Sequence, residues 1–337
     1  MANPLALIRA DASPSIGMGH RVRCQILADL LLSQGWQVQF VCHISCQEMS
    51  AEGDRIIANE SEFLTLALEA NLVILDHYQY DSKMIEALYN TQPRLFLIDD
   101  MNDRGALYCR WLLNPISLDY SANLANLIND YQETPNLFLG LDYALLRPQF
   151  RQNDNASLDK LLITLGGTDP LALTLPILKS LNSIGFRSVD MLVMLGQNAK
   201  HADQVIRYCQ QQNIEYHQGV KDVASLMRRA KMALSAGGST LFELAAIGVP
   251  SSFFQVADNQ TELLKEHEQQ GWCRVNAINL CSDNQRQLVI LQTCQQLLID
   301  WYDLDYLQKA GLILSHMSVG AKAKQIGDHL SASFKPV

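Results

Sequence analysis

Gly17-Met18-Gly19-His20 brings two kinds of chemistry into four residues. Glycine lets the backbone approach a ligand closely, and histidine is the side chain best suited to accept or release a proton near neutral pH. An apolar run, Leu5–Ile8, reads as a buried strand and leads through Arg9-Ala10-Asp11-Ala12-Ser13-Pro14-Ser15-Ile16 into these residues. Val22, Ile26, Leu27, Leu30 and Leu31 follow at the spacing of an amphipathic helix. A glycine-rich loop between strand and helix turns free N–H groups and the positive end of a helix dipole toward an anion. His20, in the first helical turn, would stand beside that anion. The dipole disfavours imidazolium there, which suits a proton acceptor. The plainer alternative is a histidine that only caps its own helix, and without a third glycine the loop is not the dinucleotide fingerprint.

Acidic and titratable residues recur at other apparent strand ends. Asp11 could orient His20, bind a sugar hydroxyl, or simply close an Asx turn. Asp76-His77-Tyr78 and Asp99-Asp100 each follow an apolar run, so three strand ends converge on one edge.

Two glycine pairs mark the second half. In Leu165-Gly166-Gly167-Thr168-Asp169-Pro170, Thr168 or Asp169 could cap a helix beginning near Pro170, and the glycines suit a diphosphate. Ser235-Ala236-Gly237-Gly238-Ser239-Thr240-Leu241-Phe242-Glu243 is the strongest phosphate candidate: Gly238, Ser239 and Thr240 offer N–H groups and hydroxyls, and Glu243 could reach a ribose. A capping box from Ser239 or Thr240 to Glu243 is the competing reading. Asp258-Asn259-Gln260 opens another helix, with Asn259 and Gln260 able to line a site and Asp258 able to cap.

The elements that must position these residues alternate between strand and helix. Strands are expected at Leu5–Ile8, Val38–Cys42, Leu72–Leu75, Leu95–Ile98 and Leu112–Leu113, with helices at Arg21–Gln34, Glu60–Ala70, Ser82–Asn90 and Ala122–Asn129. Arg147-Pro148-Gln149-Phe150 and the polar Arg151–Asp159 read as a linker. The rhythm then restarts, with strands at Leu161–Leu165, Asp190–Leu195, Ile214–His217, Met232–Ser235 and Ser251–Gln255. Helices are expected at Leu171–Ile184, Ala199–Asn213, Val223–Ala230, Thr240–Ile247, Thr261–Gln270, Arg286–Leu298 and Leu304–Leu314, and near Gly320–Leu330. Such alternation implies α/β architecture with parallel strands and right-handed crossovers. Two doubly wound Rossmann-like domains are expected, 1–150 and 151–337, facing a cleft, with ligands outside the carboxyl ends of the strands. The last helices could cross back to the first domain.

Composition narrows the function. At 337 residues the chain suits two domains. A net charge of −9 without a basic run argues against nucleic acid or an anionic membrane as partner. No apolar stretch approaches the ~20 residues that span a bilayer, and the start, Met1-Ala2-Asn3-Pro4, lacks the basic region of a signal peptide. The eight scattered cysteines fit reduced thiols in a cytoplasm rather than a disulfide framework. Cys42-His43-Ile44-Ser45-Cys46 lacks the second ligand pair of a zinc site, so no metal is expected.

Taken in order, R-A-D-A-S, I-G-M-G-H-R-V-R-C, L-D-H-Y, L-I-D-D, L-L-N, G-L-D-Y-A-L-L-R-P-Q-F, L-G-G-T-D, S-A-G-G-S-T-L-F-E and D-N-Q resemble the UDP-sugar hydrolases of pseudaminic acid biosynthesis, bacterial enzymes of the GT-B fold. The resemblance runs from Leu5 to the helix after Gln260. It implies a nucleotide site in the C-terminal domain and a sugar site in the N-terminal one. It assigns the general base to His20 and a sugar contact to Tyr78. The implied reaction is hydrolysis of UDP-2,4-diacetamido-2,4,6-trideoxy-β-L-altrose to UDP and the free sugar. Direct attack by water would invert the anomeric centre, and with no carboxylate pair dedicated to magnesium neither metal nor cofactor is expected; the chain is expected to act as a monomer. The Gly-Gly-Ser-Thr and Glu243 stretch also resembles the glycosyltransferase that makes lipid II, so a GT-B transferase using a UDP-sugar donor stays open. So do a binding protein without catalysis and a nonhydrolysing epimerase.

Overall fold

The computed structural model describes residues 3–13, 16–116, 119–124, 135–151 and 158–334. The chain forms two compact units: Met1–Leu146 with Val319–Val337, and Arg147–Ser318.

Unit 1 is built on seven parallel strands: β1 (Leu5–Ala10), β2 (Gln37–His43), β3 (Arg55–Ile57), β4 (Leu72–Asp76), β5 (Leu95–Ile98), β6 (Trp111–Asn114) and β7 (Asn136–Leu139). They pair in the order β3-β2-β1-β4-β5-β6-β7. Helices α1 (Gly19–Leu32), α2 (Glu60–Glu69) and α3 (Ser82–Thr91) supply crossovers. Alternate strand residues face opposite sides of a sheet. Ile8, Ile74, Phe96 and Ile98 accordingly pack with Leu27 and Leu31 of α1. Leu7, Val73, Leu75 and Leu97 pack on the other face with Phe63 of α2 and Ile85 and Leu88 of α3.

Unit 2 repeats the plan with six parallel strands: β8 (Lys160–Thr164), β9 (Met191–Leu195), β10 (Glu215–Gln218), β11 (Ala230–Ala236), β12 (Ser251–Gln255) and β13 (Cys273–Ala277), ordered β10-β9-β8-β11-β12-β13. Its helices are α4 (Thr174–Ser183), α5 (Ala202–Gln212), α6 (Val223–Met227), α7 (Ser239–Ala246), α8 (Thr261–Gln269), α9 (Asp283–Tyr302) and α10 (Leu304–Ser315). Among the described residues no helix is long and apolar enough to cross a membrane.

The last helix, α11 (Ala323–Ala332), belongs to unit 1 and lies on α1. Gly327 permits the approach, since a Cβ there would come within 3.2 Å of Leu30 Cβ. Gln34 Nε2 donates to Asp328 at 2.8 Å and Trp36 Nε1 to Ser331 Oγ at 2.9 Å.

The differences from expectation have local causes. β3, β7 and β13 carry no expected strand; each is a sheet edge, paired on one side, where a continuous apolar run is not required. α4 begins at Thr174 instead of Leu171, and α9 extends from a capping box at Ser282 and Gln285 to Tyr302. Residues 121–124 are helical, and the rest of the helix expected over Ala122–Asn129 lies outside the described residues, as does most of the Arg151–Asp159 linker. Arg147–Phe150 is not linker. It enters unit 2 as a short 3-10 turn, Pro148–Arg151, with Phe150 buried, so the division falls at Leu146/Arg147 rather than at 150.

Ile326 is fully buried among Leu27, Leu31 and Trp36. Ile326→Ala should destabilise unit 1 by about 2–5 kcal/mol. Urea unfolding read from Trp36 fluorescence should show this as a lower midpoint. An unchanged midpoint would mean that α11 does not stabilise the unit.

Candidate active site

In unit 1 the strand order reverses between β1 and β4, so the loops leaving these neighbours diverge and open a crevice at their carboxyl ends. Ala10 pairs with Asp76 at that edge. Strand parity then sorts the titratable residues. Residues 72 and 74 face α1, and so does Asp76; likewise 96 and 98 put Asp100 on the α1 face. Asp11, His77 and Asp99 continue the opposite parity, that of Leu7, Val73, Leu75 and Leu97.

α1 begins at Gly19 without a side-chain cap and carries His20 over the α1 face. His20 is buried, and its Nδ1 lies 2.6 Å from Asp76 Oδ1. An ionised carboxylate only accepts, so Nδ1 donates the hydrogen of this bond. Nε2 has no hydrogen-bond partner among the described residues. The Tyr78 ring stands edge-on to the imidazole, with centroids 4.4 Å apart.

Arg23, one turn beyond His20, holds both acids of this face. Its Nε and Nη2 reach the two oxygens of Asp76, each at 2.6 Å. Its Nη1 and Nη2 reach those of Asp100 at 2.8 and 2.9 Å. The Tyr78 hydroxyl donates to Asp100 Oδ2 at 2.5 Å. Burial opposes charge on Asp76, but Arg23 and His20 outweigh it and hold the carboxyl well below its usual range. Asp100 is lowered in the same way, against burial, by Arg23. Burial and the Asp100 charge push the Tyr78 hydroxyl far up, so it remains a phenol.

Asp11 does not orient His20; Asp76 does. The two are separated by strand parity. Asp11 accepts from Arg9 Nη1 at 2.5 Å, His77 Nε2 at 3.0 Å and the His43 N–H at 3.0 Å. Against burial, His77 and Arg9 hold its carboxyl low. Arg9 also donates to Glu60 at 2.7 Å, and Glu60 accepts the Tyr80 hydroxyl. Gly17 takes φ +82° and donates its N–H to Ser13 O at 2.8 Å, closing the loop ahead of α1, where Gly19 is exposed. Pro14 and Ser15 lie outside the described residues.

Unit 2 has its reversal between β8 and β11, and both glycine pairs leave these strands. Gly166 takes φ +77°, Gly167 is exposed and Thr168 is buried. The helix α4 starts at Thr174 with Leu173 at its N-cap, so neither Thr168 nor Asp169 is the cap, but Asp169 serves that start from outside it. Its oxygens accept the N–H of Leu173 (2.9 Å) and Thr174 (3.0 Å) and the Thr174 hydroxyl (2.6 Å). Gly238, at φ +115°, precedes α7, whose start has no side-chain cap, and Ser239 and Thr240 are half-buried in its first turn.

The capping box to Glu243 does not form. Glu243 turns instead to Arg147, accepting Nε at 3.1 Å and Nη2 at 2.6 Å on Oε1. Burial pushes the Glu243 carboxyl up, and Arg147 pulls it back only in part. Gln260 braces the glycine loop, donating to Gly237 O at 3.0 Å and accepting the Val256 N–H at 2.9 Å. Asn259 Oδ1 is buried without a partner among the described residues. Asp258 is no side-chain cap and accepts Asn279 Nδ2 at 2.5 Å.

Arg23 and Arg147 are the residues that sequence reasoning missed. The signal for Arg23 was its i,i+3 spacing from His20 on one helix face, opposite two strand-end acids. Arg147 stands in the G-L-D-Y-A-L-L-R-P-Q-F stretch, but nothing there points to its partner, which is 96 residues away. Among the described residues no group of three or more His, Cys, Asp or Glu is arranged to hold a metal ion, and all eight cysteines are free.

Two doubly wound parallel-sheet units with this order of elements make a two-domain α/β GT-B fold. MurG of Acinetobacter baumannii superposes with a TM-score of 0.62 at 14% identity, covering 98% of this chain and 99% of that one. In sequence, the chain is 24% identical to the spore coat polysaccharide biosynthesis protein SpsG of Bacillus subtilis, over 78% of this chain and 81% of SpsG. It is 25% identical to the pseudaminic acid cytidylyltransferase and UDP-2,4-diacetamido-2,4,6-trideoxy-β-L-altropyranose hydrolase of Helicobacter pylori, over 78% of this chain. The match takes up 47% of that protein, so the chain spans about half its length. No protein-family model matches.

Arg23→Met would leave two buried carboxylates without a counter-ion, a loss of about 3–5 kcal/mol. The pH dependence has a definite sign. Asp76 is lowered in the folded state, so its stabilisation is complete above the unfolded value of about 3.9 and fades as pH falls through the lower folded value. Acid unfolding followed by circular dichroism should therefore begin at higher pH in Arg23→Met than in the native chain. Coincident acid limbs would show that Arg23 does not maintain these charges.

Proposed function

We propose that the protein is a nucleotide-sugar hydrolase in which His20 is the general base. The observation that carries this reading is the His20–Asp76 pair, with Nδ1 bound to a buried carboxylate and Nε2 without a hydrogen-bond partner among the described residues. Such a pair fixes ring and tautomer, and the carboxylate stabilises the imidazolium that forms when a proton is taken.

Water gives its proton to Nε2 and forms a bond to the anomeric carbon of UDP-2,4-diacetamido-2,4,6-trideoxy-β-L-altrose. The bond from that carbon to the diphosphate oxygen breaks, and its electron pair leaves with UDP. Direct attack inverts the anomeric centre. UDP is a weak base, so no strong general acid is needed. Gly17 and Gly19 let the sugar lie close to the base, and Tyr78 meets it through its ring, its hydroxyl being committed to Asp100. Asp11 supports the loop and takes no part in the chemistry. In unit 2, N–H groups at the uncapped start of α7, with Ser239 and Thr240, receive the diphosphate, the Gly167–Thr168 turn lies at the same reversal, and Glu243 receives the ribose. Asn259 and Gln260 complete that end of the sheet, Gln260 by holding Gly237. The likeness to the Helicobacter protein supports a nucleotide-sugar substrate and suggests this one. The reading requires neither metal nor cofactor.

Incubation with that UDP-sugar in ¹⁸O-water containing EDTA, followed by mass spectrometry, should place the label in the free sugar. Label in UDP would mean attack at phosphorus and would remove His20 from its role. UDP release only when an acceptor is added would identify a transferase. His20→Ala should lower kcat by about 10²–10⁴-fold with UDP binding unchanged. Asp76→Asn should lower kcat in the same direction, and full activity in either variant would overturn the mechanism.

A further inference from the structure

We propose that Arg147 is a positioning residue of the nucleotide site: by placing Nε and Nη2 on a single oxygen of Glu243, it presents the other, Oε2, to the vicinal hydroxyls of a ribose. This rests on the assignment of the nucleotide to unit 2.

The geometry is specific. Both donors of Arg147 converge on Oε1, at 3.1 and 2.6 Å, and Oε2 has no hydrogen-bond partner among the described residues. The Glu243 side chain keeps 10% of its surface exposed. On α7, Glu243 lies three and four residues after Thr240 and Ser239, hence on the same helix face as the uncapped first turn. An acceptor on that face stands where a sugar attached to a bound diphosphate would lie. A carboxylate oxygen with free lone pairs accepts from hydroxyl donors; two adjacent hydroxyls suit it better than one.

Arg147 is itself held. Its guanidinium lies 5.2 Å from the centroid of Phe150, which is buried. Gln149 ties the same turn to α6 by accepting the Ala224 N–H at 3.2 Å. The planar fork is what lets two donors meet one oxygen, a geometry that a lysine ammonium does not reproduce. Among the described residues Arg147 is the charged group that acts on Glu243, and burial works against the carboxylate. Without Arg147 the carboxyl would take up a proton more readily and would no longer be oriented.

The test compares binding of UDP and 2′-deoxy-UDP by calorimetry in the whole protein, from about pH 6 to pH 9. A hydrogen bond to a charged group predicts that the native chain prefers UDP by about 10- to 100-fold. In Arg147→Met the preference should fall at every pH and most at the acid end, and 2′-deoxy-UDP, which keeps the 3′-hydroxyl, should lose less affinity than UDP. Glu243→Gln should lose the preference at every pH. Arg147→Lys, which keeps the charge but not the fork, should show a smaller fall and carries the test if the methionine variant does not fold. An unchanged preference across pH in Arg147→Met, or in Arg147→Lys as its substitute, overturns the role of Arg147. A native chain that binds both nucleotides equally overturns it too, leaving the nucleotide site in place. A native chain that binds neither overturns that assignment as well.

Discussion

Two carboxylates buried side by side repel each other and lose their hydration, and neither cost is tolerable without a cation between them. Arg23 meets that requirement for Asp76 and Asp100 with a planar fork that reaches both oxygens of each. Everything else on this face of unit 1 depends on the compensation. Because Asp76 remains ionised, His20 is held by Nδ1, and its other nitrogen has no partner among the described residues. Because Asp100 remains ionised, the Tyr78 hydroxyl has an acceptor and its ring is kept against the imidazole. The chain of contacts therefore closes on itself: His20, Asp76, Arg23, Asp100, Tyr78 and back to His20. Such a ring fixes side-chain positions more tightly than any of its pairs would alone.

The opposite face of the same sheet solves the same electrostatic problem with other residues. Arg9 stands between Asp11 and Glu60, and His77 and Tyr80 satisfy the oxygens that remain. Here no imidazole nitrogen is left over, since His77 Nε2 binds Asp11 and Nδ1 accepts the Gln79 N–H at 3.2 Å. The two networks have similar composition but differ in what they leave unspent, and an unspent nitrogen is what chemistry requires. Unit 2 works differently again. Its corresponding sheet edge relies on positive-φ glycines and an uncapped helix start, with one ion pair, Arg147–Glu243, in place of a network. Fixed backbone dipoles suit a ligand that brings its own negative charge.

Much of this was legible without coordinates. Apolar runs separated by helical periodicity give parallel α/β units, and glycine pairs after such runs mark loops that leave strand ends. The sequence also put Asp76, Asp99 and Asp100 at strand ends. It could not say which of them would meet His20, and it left Asp11 open as a partner, a place that the structure gives to Asp76. The capping box stayed open as a competing reading for a related reason. Ser239, Thr240 and Glu243 satisfy the spacing of a capping box, yet a distant arginine offers Glu243 a charged partner, which local hydrogen bonding does not match.

By itself the sequence determined the two doubly wound units, the glycine turns that leave β1, β8 and β11, and the histidine at the start of α1. Only the tertiary structure decided which acids serve that histidine. The strands of a parallel sheet are buried on both faces, so Leu72–Leu75 and Leu95–Ile98 read as uninterrupted apolar runs with no polar alternation to reveal their orientation. The packing of α1 against Ile8, Ile74 and Phe96 breaks that symmetry. Once one face is known, parity sends Asp76 and Asp100 to His20 and Arg23, and sends Asp11, His77 and Asp99 to the other side.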